Sequence, residues 1–557
     1  MTTTASPNPV TSAHAMLGCL VRNGIDRVFV VPGESYLGVL DALSDFPEID
    51  VITCRHESSA SFMASVDGRL TRRPGVAMVS RGPGATNASI GVHAAQQDAT
   101  PLILVIGQVC KKDLRRSAFQ EIDYQQMFGS IAKWVFEVTE PEQLATAAFK
   151  AIRVATSGTP GPVVLVIPED VQQQPVDQPD WVAMDTQAVE PTAAVVTTVH
   201  QLLVDAKRPL LIAGNSLSCD RGRESLRKLA EKYRLPVAVS FRQHDLFPNS
   251  HELFVGDLGL ANPPEQMAAL ESSDLILALG TRLGDITTQG YTFPRLPRPS
   301  QTLIHCFPDS AVVGQHFVSD IGIVSDATAL ADALVSANPL ASVNPFSDEP
   351  RLRWASHLRQ LHRRIAGWPN VNVDDGVPFV DVIRELSRQA PDDLVVCLDS
   401  GTFAAPVYRH FPFVFPQRLM ASQSGAMGFG TPAAIACQLR LRDQKIVCLV
   451  GDGGFMMTGN EMIIALERRL PILFIVSNNN CYGSIRIHQD REYPGRHVGT
   501  SLSNPDFAAV ARAFGMQTEV VSEKSQIEGA LTRGLQSKIP YFIEVQTSLH
   551  AVLPIRT

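Results

Sequence analysis

Residues 445–480 have the sequence KIVCLVGDGGFMMTGNEMIIALERRLPILFIVSNNN, and this stretch decides the fold. Two apolar, β-branched runs, Lys445 to Val450 and Pro471 to Val476, enclose a glycine turn and a helical pattern, which predicts a strand–helix–strand unit. Asp452 comes directly after the first strand, and an Asn-Asn pair at 478–479 follows the second. Because the crossover between parallel strands is right-handed, we expect these side chains to meet at the ligand-binding edge of a sheet.

The side chains at this edge suit a hard cation and a diphosphate. Asp452 and Asn479 supply a carboxylate and an amide oxygen, which Mg²⁺ accepts together with a backbone carbonyl, phosphate oxygens and water. Gly451, Gly453 and Gly454 remove side chains where a diphosphate would approach the backbone and the start of the helix. A G-D-G turn alone is common, so the specificity comes from both halves together with the βαβ unit between them.

Similar apolar runs alternate with helical patterns along the whole chain, which is typical of parallel sheets covered by helices on both faces. The predicted class is α/β, with three Rossmann-like doubly wound parallel-sheet domains at 8–172, 192–338 and 365–557. Polar, Pro-rich stretches separate them, and residues 351–365 predict a connecting helix with a solvated charged face. The predicted strands are Arg27 to Val31, Asp50 to Cys54, Val76 to Ser80, Pro101 to Ile106 and Pro162 to Ile167, then Pro209 to Ala213, Pro236 to Ser240, Asp274 to Leu279 and Gln301 to Phe307, and finally Leu394 to Leu398, Lys445 to Val450, Pro471 to Val476 and Tyr541 to Val545.

The composition argues against several classes of function. Among 557 residues, 45% are hydrophobic and 19% are charged, and the net charge of −8 leaves no basic field to hold nucleic acid or an anionic membrane. Nine cysteines are scattered without a C-x-x-C pair, which indicates a reducing compartment. Neither a signal-peptide pattern nor an apolar run near the roughly 18 residues of a spanning helix is present. We therefore expect a cytoplasmic protein that acts on small molecules, without nucleic-acid or membrane partners.

The paired motif resembles the signature of thiamin-diphosphate-dependent enzymes, and most closely that of the acetolactate synthase-like members (large catalytic subunit type). The resemblance implies an N-terminal pyrimidine-binding domain, a central Rossmann-like domain and a C-terminal diphosphate-binding domain. It also implies that Asp452, Asn479 and the backbone oxygen of Cys481 bind Mg²⁺, while Gly453 and Gly454 lie against the diphosphate of the cofactor.

Such a cofactor needs one carboxyl group to switch it on. The carboxyl group protonates the aminopyrimidine ring, so that the exocyclic amine can remove the C2 proton. Residues 51–57, VITCRHE, resemble the family's R-H-E pattern, which implies that Glu57 is this catalytic carboxyl group. The simpler interpretation is that Glu57 only caps the helix that begins near Ser58.

Two further blocks carry the resemblance. In AFQE, Gln120 matches a family residue near the reacting substrate, whereas the adjacent Phe119 is as compatible with the core. In SQSGAMGFGTPAA, the backbone at Gly425 is implied to accept a hydrogen bond from the aminopyrimidine, and Met427 to wedge beneath the cofactor and bend it. A lone methionine would otherwise be core filler, so the role of Met427 rests on the resemblance.

Departures from the family pattern bear on the substrate. The family motif G-x-R-F-D-D-R, whose last Arg grips the acceptor's carboxylate and whose surroundings bind FAD, is GTRLGDI here, with Ile286 in place of that Arg. Because an apolar side chain cannot pair with an anion, it is left open whether the acceptor is a 2-oxo acid. It is also left open whether FAD is bound, since the motif as a whole differs. His488 replaces a Trp of the acceptor pocket and is either a proton donor or a polar wall. Thr402-Phe403 stands where a Gln-His pair touches the diphosphate, which makes Thr402 a candidate contact.

The resemblance implies a homodimer or homotetramer with active sites at the subunit interface, where Glu57 comes from one subunit and the G-D-G domain from another. The expected activity forms or cleaves C–C bonds of 2-oxo acids, by decarboxylation with carboligation onto a carbonyl acceptor. A lyase that cleaves an acyloin or a 2-hydroxyacyl compound is the first alternative. A flavin or nicotinamide oxidoreductase is disfavoured because the first strand leads into VPGES rather than G-x-G-x-x-G. A binding scaffold without enzymatic turnover is also disfavoured, because Glu57, Asp452 and Asn479 are all present.

Overall fold

Three parallel six-stranded sheets, one in each third of the chain, form the frame of the molecule. The computed structural model describes residues 9–177, 180, 183, 187–337 and 349–551. Helices separate successive strands of each sheet, so the predicted α/β class with three doubly wound domains is confirmed. The domain boundaries stay a prediction, and residues 8, 338 and 552–557 of the predicted domains lie outside the described part.

The N-terminal sheet has the order β3-β2-β4-β5-β7-β6, and β1 pairs with β8 in a separate antiparallel ribbon. The strands are β1 (Val10–Thr11), β2 (Arg27–Val30), β3 (Asp50–Thr53), β4 (Gly75–Val79), β5 (Leu102–Gln108), β6 (Trp134–Glu137), β7 (Pro162–Pro168) and β8 (Pro175–Val176); the helices are α1 (Ser12–Arg22), α2 (Leu37–Leu43), α3 (Glu57–Thr71), α4 (Pro83–Asp98), α5 (Tyr124–Phe128) and α6 (Leu144–Thr156).

The central sheet has the order β11-β10-β9-β12-β13-β14. The strands are β9 (Pro209–Ala213), β10 (Val237–Ser240), β11 (Phe254–Leu258), β12 (Leu275–Leu279), β13 (Thr302–Phe307) and β14 (Ile321–Val324); the helices are α7 (Ala193–Asp205), α8 (Asp220–Tyr233), α9 (Pro264–Glu271), α10 (Ala327–Ser336) and the connecting helix α11 (Glu349–Ile365).

The C-terminal sheet has the order β16-β15-β17-β18-β20-β19. The strands are β15 (Val395–Leu398), β16 (Arg418–Ala421), β17 (Ile446–Gly451), β18 (Leu473–Asn478), β19 (Gln517–Val521) and β20 (Tyr541–Gln546); the helices are α12 (Phe379–Gln389), α13 (Ala405–His410), α14 (Gly430–Arg440), α15 (Asp452–Thr458), α16 (Met462–Glu467), α17 (Gly483–Glu492), α18 (Phe507–Phe514) and α19 (Ile527–Gln536).

The two outer sheets share one strand order, and the central sheet has another. Numbered from its own first strand, each outer sheet runs 2-1-3-4-6-5, whereas the central sheet runs 3-2-1-4-5-6. The order reverses between β2 and β4, between β9 and β12, and between β15 and β17. Ligands of open α/β sheets bind at such reversal points, outside the carboxyl ends of the strands. The chain therefore offers three crevices, of which the outer two are alike.

The N- and C-terminal domains share one apolar core, whereas the central domain has its own. Helix α3 packs against α14, and the rings of Phe62 and Phe429 meet edge to face with centroids 5.6 Å apart. The central strands pack into two separate clusters. In the described part of the chain, no helix is both long and apolar enough to cross a membrane. The catalytic candidates thus lie on two domains that are joined through a continuous core.

Helix α11 corrects one expectation. Its charged side chains were expected to be solvated, but Arg351 and Arg359 are buried against the central domain. The guanidinium of Arg359 donates to the carbonyl oxygens of Asn249, Ser250 and Phe254 at 2.9–3.1 Å. These arginines satisfy carbonyl groups at loop and strand ends, a use that the charge pattern alone does not distinguish from solvation.

Candidate active site

The strand ends of β17 and β18 bring Asp452 and Asn479 together, as the spacing predicts. The two strands are direct neighbours. The backbone N–H of Cys481 donates to Asp452 Oδ2 at 3.3 Å and to Asn479 Oδ1 at 3.1 Å, so both oxygens face the same point of the loop. The other carboxylate oxygen, Oδ1, accepts from the N–H of Gly453 at 2.8 Å. One small cation can reach both side chains.

Asp452 has the environment of a carboxylate that lacks its counterion. It is 4% exposed and forms no ion pair with a described Lys, Arg or His. Burial raises the pKa of Asp452, and hydrogen bonds from Gly453 and Asn504 oppose the shift. Among the described residues, no group of three or more His, Cys, Asp or Glu side chains is arranged to hold a metal ion. The predicted ligand set is of another kind, because it mixes one carboxylate, one amide and a backbone oxygen. That set fits Mg²⁺, which needs few protein ligands when phosphates and water complete its shell.

Asn504 is a functional candidate that the sequence prediction missed. Its side-chain amide donates to Asp452 Oδ2 and to Asn478 Oδ1, both at 2.9 Å. Asn478 in turn donates to Glu544 Oε1 at 2.8 Å. Because Asn478 is engaged by the scaffold, Asn479 is the member of the Asn pair whose amide oxygen faces the candidate cation position. The loop before α18 carries Asn504, and nothing in the local pattern marks it.

The glycines after Asp452 are required by close packing. A Cβ at Gly453 would clash with the ring of Tyr482 and lie 3.2 Å from Met427 Cε, which puts Met427 beside the G-D-G turn. A Cβ at Gly454 would lie 3.0 Å from Asp399 Oδ2. A side chain at either position would displace these neighbours and fill the approach to the start of α15.

Asp399 is the second residue that the prediction missed. It directly follows β15, on the other side of the reversal point from Asp452. Its oxygens accept from the backbone N–H groups of Gly428 and Gly430, each at 3.1 Å, and of Ser400 at 2.6 Å. Burial raises the pKa of Asp399 to about 6. Asp399 thus contacts both the loop that follows Met427, through hydrogen bonds, and the start of α15, by packing against Gly454.

Thr402 and Gly425 lie on the loops around this crevice. A Cβ on Gly483 would be 3.3 Å from both Thr402 Oγ1 and Asn479 Nδ2, so the two side chains are neighbours. Gly425 has φ of +70°, a conformation that favours glycine. The Phe403 ring packs within 3.0 Å of a Cβ position on Gly451. The structure therefore brings Thr402, Met427, Asp452 and Asn479 into one crevice.

Glu57 begins α3, and a different residue caps that helix. The His56 ring accepts from the N–H of Ser58 at 3.2 Å, which leaves the Glu57 carboxylate for other contacts. Asn87 Nδ2 donates to Glu57 Oε2 at 2.9 Å, and a Cβ at Gly84 would lie 3.3 Å from Glu57 Oε1. The capping interpretation of Glu57 is therefore weakened, because the cap is already supplied.

Gln120 lies beside the loop that follows β4. It has φ of +65°, and a Cβ at Gly82 would lie 2.7 Å from its backbone oxygen. Arg81 Nε donates to the carbonyl of Phe119 at 3.4 Å. The Phe119 side chain is 75% exposed and does not belong to the core of the single chain. The N-terminal half of the candidate site thus joins the Glu57, 81–84 and 118–121 segments.

Glu461 links the two halves within one chain. Its buried carboxylate accepts from the N–H of Arg55 at 3.0 and 3.2 Å and from the N–H of His56 at 3.0 Å. Burial raises the pKa of Glu461, which has backbone hydrogen bonds rather than a cationic partner. The segment that follows α15 therefore hydrogen-bonds, within one chain, to the backbone directly before Glu57.

Comparisons with known proteins identify the family. Three family models match: thiamine pyrophosphate enzyme, N-terminal TPP binding domain, over residues 10–127; the central domain, over 196–334; and the C-terminal TPP binding domain, over 399–545. The acetolactate synthase isozyme 3 large subunit of Escherichia coli (strain K12) is 31% identical over 541 residues, which cover 95% of this chain and 92% of that protein. This chain belongs to the thiamine pyrophosphate enzymes. The recognition made from the G-D-G and N-N motifs is confirmed.

Two further acetolactate synthase large subunits also match this chain over nearly its whole length. The isozyme 2 large subunit of Escherichia coli (strain K12) is 30% identical over 96% of this chain and 95% of that protein. The large subunit of Parasynechococcus marenigrum (strain WH8102) is 29% identical over 97% of this chain and 88% of that protein. The enzyme therefore matches these relatives in all three domains.

In this thiamine pyrophosphate enzyme the central crevice forms a separate cavity. It has a volume of about 1380 Å³ and lies at the carboxyl ends of β9, β12 and β13. Its lining includes Asn215, Gly280, Ile286 and Asp326, together with Arg72 from the N-terminal domain. Neither Asp452 nor Glu57 lines this cavity.

His488 lies on the solvent side of α17. Its ring Nδ1 is 3.1 Å from Arg491 Nη2, and both side chains are exposed. In the single chain no described contact joins His488 to Asp452 or Glu57. The position of His488 fits the mouth of the C-terminal crevice, because α17 begins two residues after Cys481.

Proposed function

We propose that this enzyme uses thiamin diphosphate and Mg²⁺ to decarboxylate a 2-oxo acid and to join the acyl unit to a carbonyl acceptor, as in acetolactate synthase-like enzymes. The observation that carries the proposal is the convergence of Asp452 and Asn479 on one backbone N–H, in a chain whose relatives are acetolactate synthase large subunits. Those relatives favour carboligation over the acyloin lyase and the oxidoreductase.

The proposed roles combine the observed contacts with the family resemblance. Asp452, Asn479 and the Cys481 carbonyl would hold Mg²⁺, and Gly451, Gly453, Gly454 and Thr402 would border the diphosphate. The bound cofactor supplies a thiazolium carbon that stabilises negative charge on the acyl unit. By the family resemblance, Glu57 would face the aminopyrimidine ring as its acid–base partner, the Gly425 backbone would accept a hydrogen bond from that ring, and Met427 would lie beneath the cofactor. By the same resemblance, Gln120 and His488 would lie near the reacting substrate, with His488 as a proton donor or a polar wall.

The acceptor is the least constrained part of the proposal. Ile286 provides no charge for an acceptor carboxylate, so we propose a neutral carbonyl acceptor such as an aldehyde. The test incubates the purified enzyme with pyruvate alone, with pyruvate plus an aldehyde, and with pyruvate plus a second 2-oxo acid. Carbon dioxide release with a new hydroxyketone supports the proposal. Cleavage of an added acyloin without decarboxylation of any 2-oxo acid would favour the lyase instead.

We also propose a homodimer or homotetramer in which Glu57 of one chain meets the C-terminal crevice of the next. Both half-sites carry apolar side chains that one chain leaves exposed, as an interface requires. They are Ile90 and Phe119 in the N-terminal half, and Met456, Met457, Ile485 and Val498 in the C-terminal half. Light scattering on the purified enzyme should give a dimer or a tetramer, and a monomer with full activity would contradict the shared site. The proposed location is the cytoplasm.

The central cavity is proposed to take a nucleotide. Its position at the reversal point between β9 and β12 is that of dinucleotide sites in other open sheets, and Arg72 can pair with phosphate. FAD is the candidate that the family resemblance raises. An absorption spectrum of the purified enzyme and analysis of the nucleotide released on denaturation distinguish FAD from a nucleotide without flavin.

A further inference from the structure

Arg242 combines two anomalies that call for a ligand. It lies two residues after β10, is 5% exposed, and adopts a left-handed backbone conformation with φ of +59°. The guanidinium atoms Nε and Nη1 are buried and have no hydrogen-bond partner in the described part of the chain. Strained backbone and unsatisfied buried polar groups both cost free energy, and both concentrate at functional sites.

The guanidinium is fixed in place by rings, which leaves its donors free. Its central carbon lies 4.9 Å from the ring centre of Phe241 and 5.7 Å from that of Tyr408. One weak bond, from Nη2 to Ser400 Oγ at 3.4 Å, extends toward the C-terminal domain. The group therefore bridges the central and C-terminal domains with most of its hydrogen-bonding capacity unused.

The neighbouring carboxylates do not neutralise Arg242. Asp98 and Asp399 are close enough to feel its charge, but neither forms an ion pair with it in the described chain. Asp98 Oδ1 accepts from Gln423 N at 2.5 Å and from Ser422 Oγ at 3.2 Å, and the oxygens of Asp399 are taken by backbone N–H groups. A buried charge without a paired counterion is strongly destabilising, so this arrangement is costly unless an anion binds.

Two neighbours connect Arg242 with the proposed reaction. Ser400 lies on the same loop as Thr402, the candidate diphosphate contact, where this chain lacks the Gln-His pair of the family. On the other side, the N–H of Phe241 donates to Thr287 Oγ1 at 3.3 Å, which puts Arg242 beside the segment in which Ile286 stands for the missing Arg. Arg242 therefore lies near two positions, Thr402 and Ile286, at which this chain lacks a family residue that would contact an oxyanion.

We propose that Arg242 is an oxyanion-binding residue of the active site. The oxyanion is either the diphosphate of the cofactor or the carboxylate of the 2-oxo acid, since a guanidinium fork recognises both by the same paired N–H donors. The proposal rests on the proposed function for the identity of these ligands. The buried position and the unsatisfied donors are independent of it.

The test compares Arg242→Met and Arg242→Lys with a matched control, Arg359→Met. Arg359 is also a buried arginine of the central region, but its Nη1 and Nη2 atoms donate to three backbone carbonyls and only its Nε lacks a partner among the described residues. Without ligand, Arg242→Met should unfold at the wild-type temperature or above, because it removes an unpaired buried charge. Arg359→Met should unfold at a lower temperature, because it leaves carbonyls unsatisfied.

Ligand binding then identifies the source of the oxyanion. The probes are thiamin diphosphate with Mg²⁺, inorganic pyrophosphate with Mg²⁺, and pyruvate. In Arg242→Met, a Kd about tenfold or more above wild type for thiamin diphosphate and pyrophosphate assigns the diphosphate, whereas an equal rise in the KM of pyruvate alone assigns the carboxylate. Arg242→Lys should keep part of the affinity, and Arg359→Met should keep all of it.

The inference is overturned if both affinities in Arg242→Met stay within about twofold of wild type. It is also overturned if Arg242→Met loses as much thermal stability as Arg359→Met while its binding is unchanged, since that is the signature of a structural residue. If the wild type fails to bind thiamin diphosphate, the proposed function is refuted instead. Even then, the oxyanion site is supported if pyrophosphate or pyruvate stabilises the wild type but does not stabilise Arg242→Met.

Discussion

Replacement of Glu461 by Gln should weaken the link between the N-terminal and C-terminal domains of one chain, and so displace the Glu57 segment that this chain contributes to an active site. The Glu461 carboxylate has no exposed surface and receives the N–H groups of Arg55 and His56 at 3.0–3.2 Å. A Gln side chain keeps the size and one acceptor oxygen, but it loses the charge and points an NH₂ group at these donors. Loss of one charge-assisted hydrogen bond, with a donor now facing a donor, should lower the free energy of unfolding by about 2 to 3 kcal/mol.

The same change should reach the chemistry through Glu57, which follows His56 directly. A displacement of a catalytic group by about 1 Å costs up to a hundredfold in rate, so we expect kcat to fall about ten- to a hundredfold. The Kd of thiamin diphosphate with Mg²⁺ should change little, because Asp452 and Asn479 are untouched. Urea unfolding, steady-state kinetics and cofactor titration measure the three quantities.

Glu467→Gln is the matched control. Glu467 lies at the end of α16, is 53% exposed in its side chain, and meets only the guanidinium of Arg55 at 3.5 Å. An exposed pair of this kind contributes little, so the free energy of unfolding should change by less than about 0.5 kcal/mol. The reasoning is refuted if Glu461→Gln and Glu467→Gln unfold and turn over alike.

Three further predictions concern the proposed site. Glu57→Gln should lower turnover about a hundredfold or more with an unchanged unfolding temperature, and unchanged turnover would remove Glu57 from the mechanism. Coexpression of Glu57→Gln chains with Asp452→Ala chains should restore about a quarter of wild-type activity, because half of randomly formed dimers are mixed and each mixed dimer has one intact site; no recovery would mean that both residues act within one chain. Burial raises the pKa of Asp399 from 3.8 to about 6, although the charge of Arg242 opposes the shift. The folded chain therefore binds more protons than the unfolded chain in that interval, and wild type should lose about 3 kcal/mol of the free energy of unfolding as the pH rises through it. Urea unfolding at several pH values should show no such loss in Asp399→Asn, and equal pH dependence in both would contradict the assignment.

The interior of each sheet could be predicted from the sequence, and most of the edges could not. The interior strands are buried on both faces and appear as continuous apolar runs. An edge strand pairs on one side only, and β14 and β19 each have only one buried residue. The strands of the three sheets that were not predicted all occupy edges: β6, β11, β14, β16 and β19. The antiparallel pair of β1 with β8 was also missed, because each strand has only two residues.

The site candidates divide in a similar way. Asp452 and Asn479 could be found because each directly follows an interior strand and the two belong to one βαβ unit. Asp399 follows β15 in the same manner, but its partners are backbone N–H groups of a loop that the sequence does not place. Glu461 and Arg242 contact segments of other domains, roughly 400 and 160 positions away along the chain. No local pattern carries such contacts, and the left-handed backbone at Arg242 has no marker in its residue type.

Crystals grown with thiamin diphosphate and Mn²⁺ in place of Mg²⁺ test the central claim most directly, because Mn²⁺ is located by its anomalous signal. We predict one Mn²⁺ at about 2.1 to 2.2 Å from Asp452, Asn479 and the Cys481 carbonyl oxygen, with two phosphate oxygens completing the contact and the aminopyrimidine beside Glu57 of the partner chain. A metal and diphosphate bound at any other strand end, with Asp452 and Asn479 unliganded, would contradict the account.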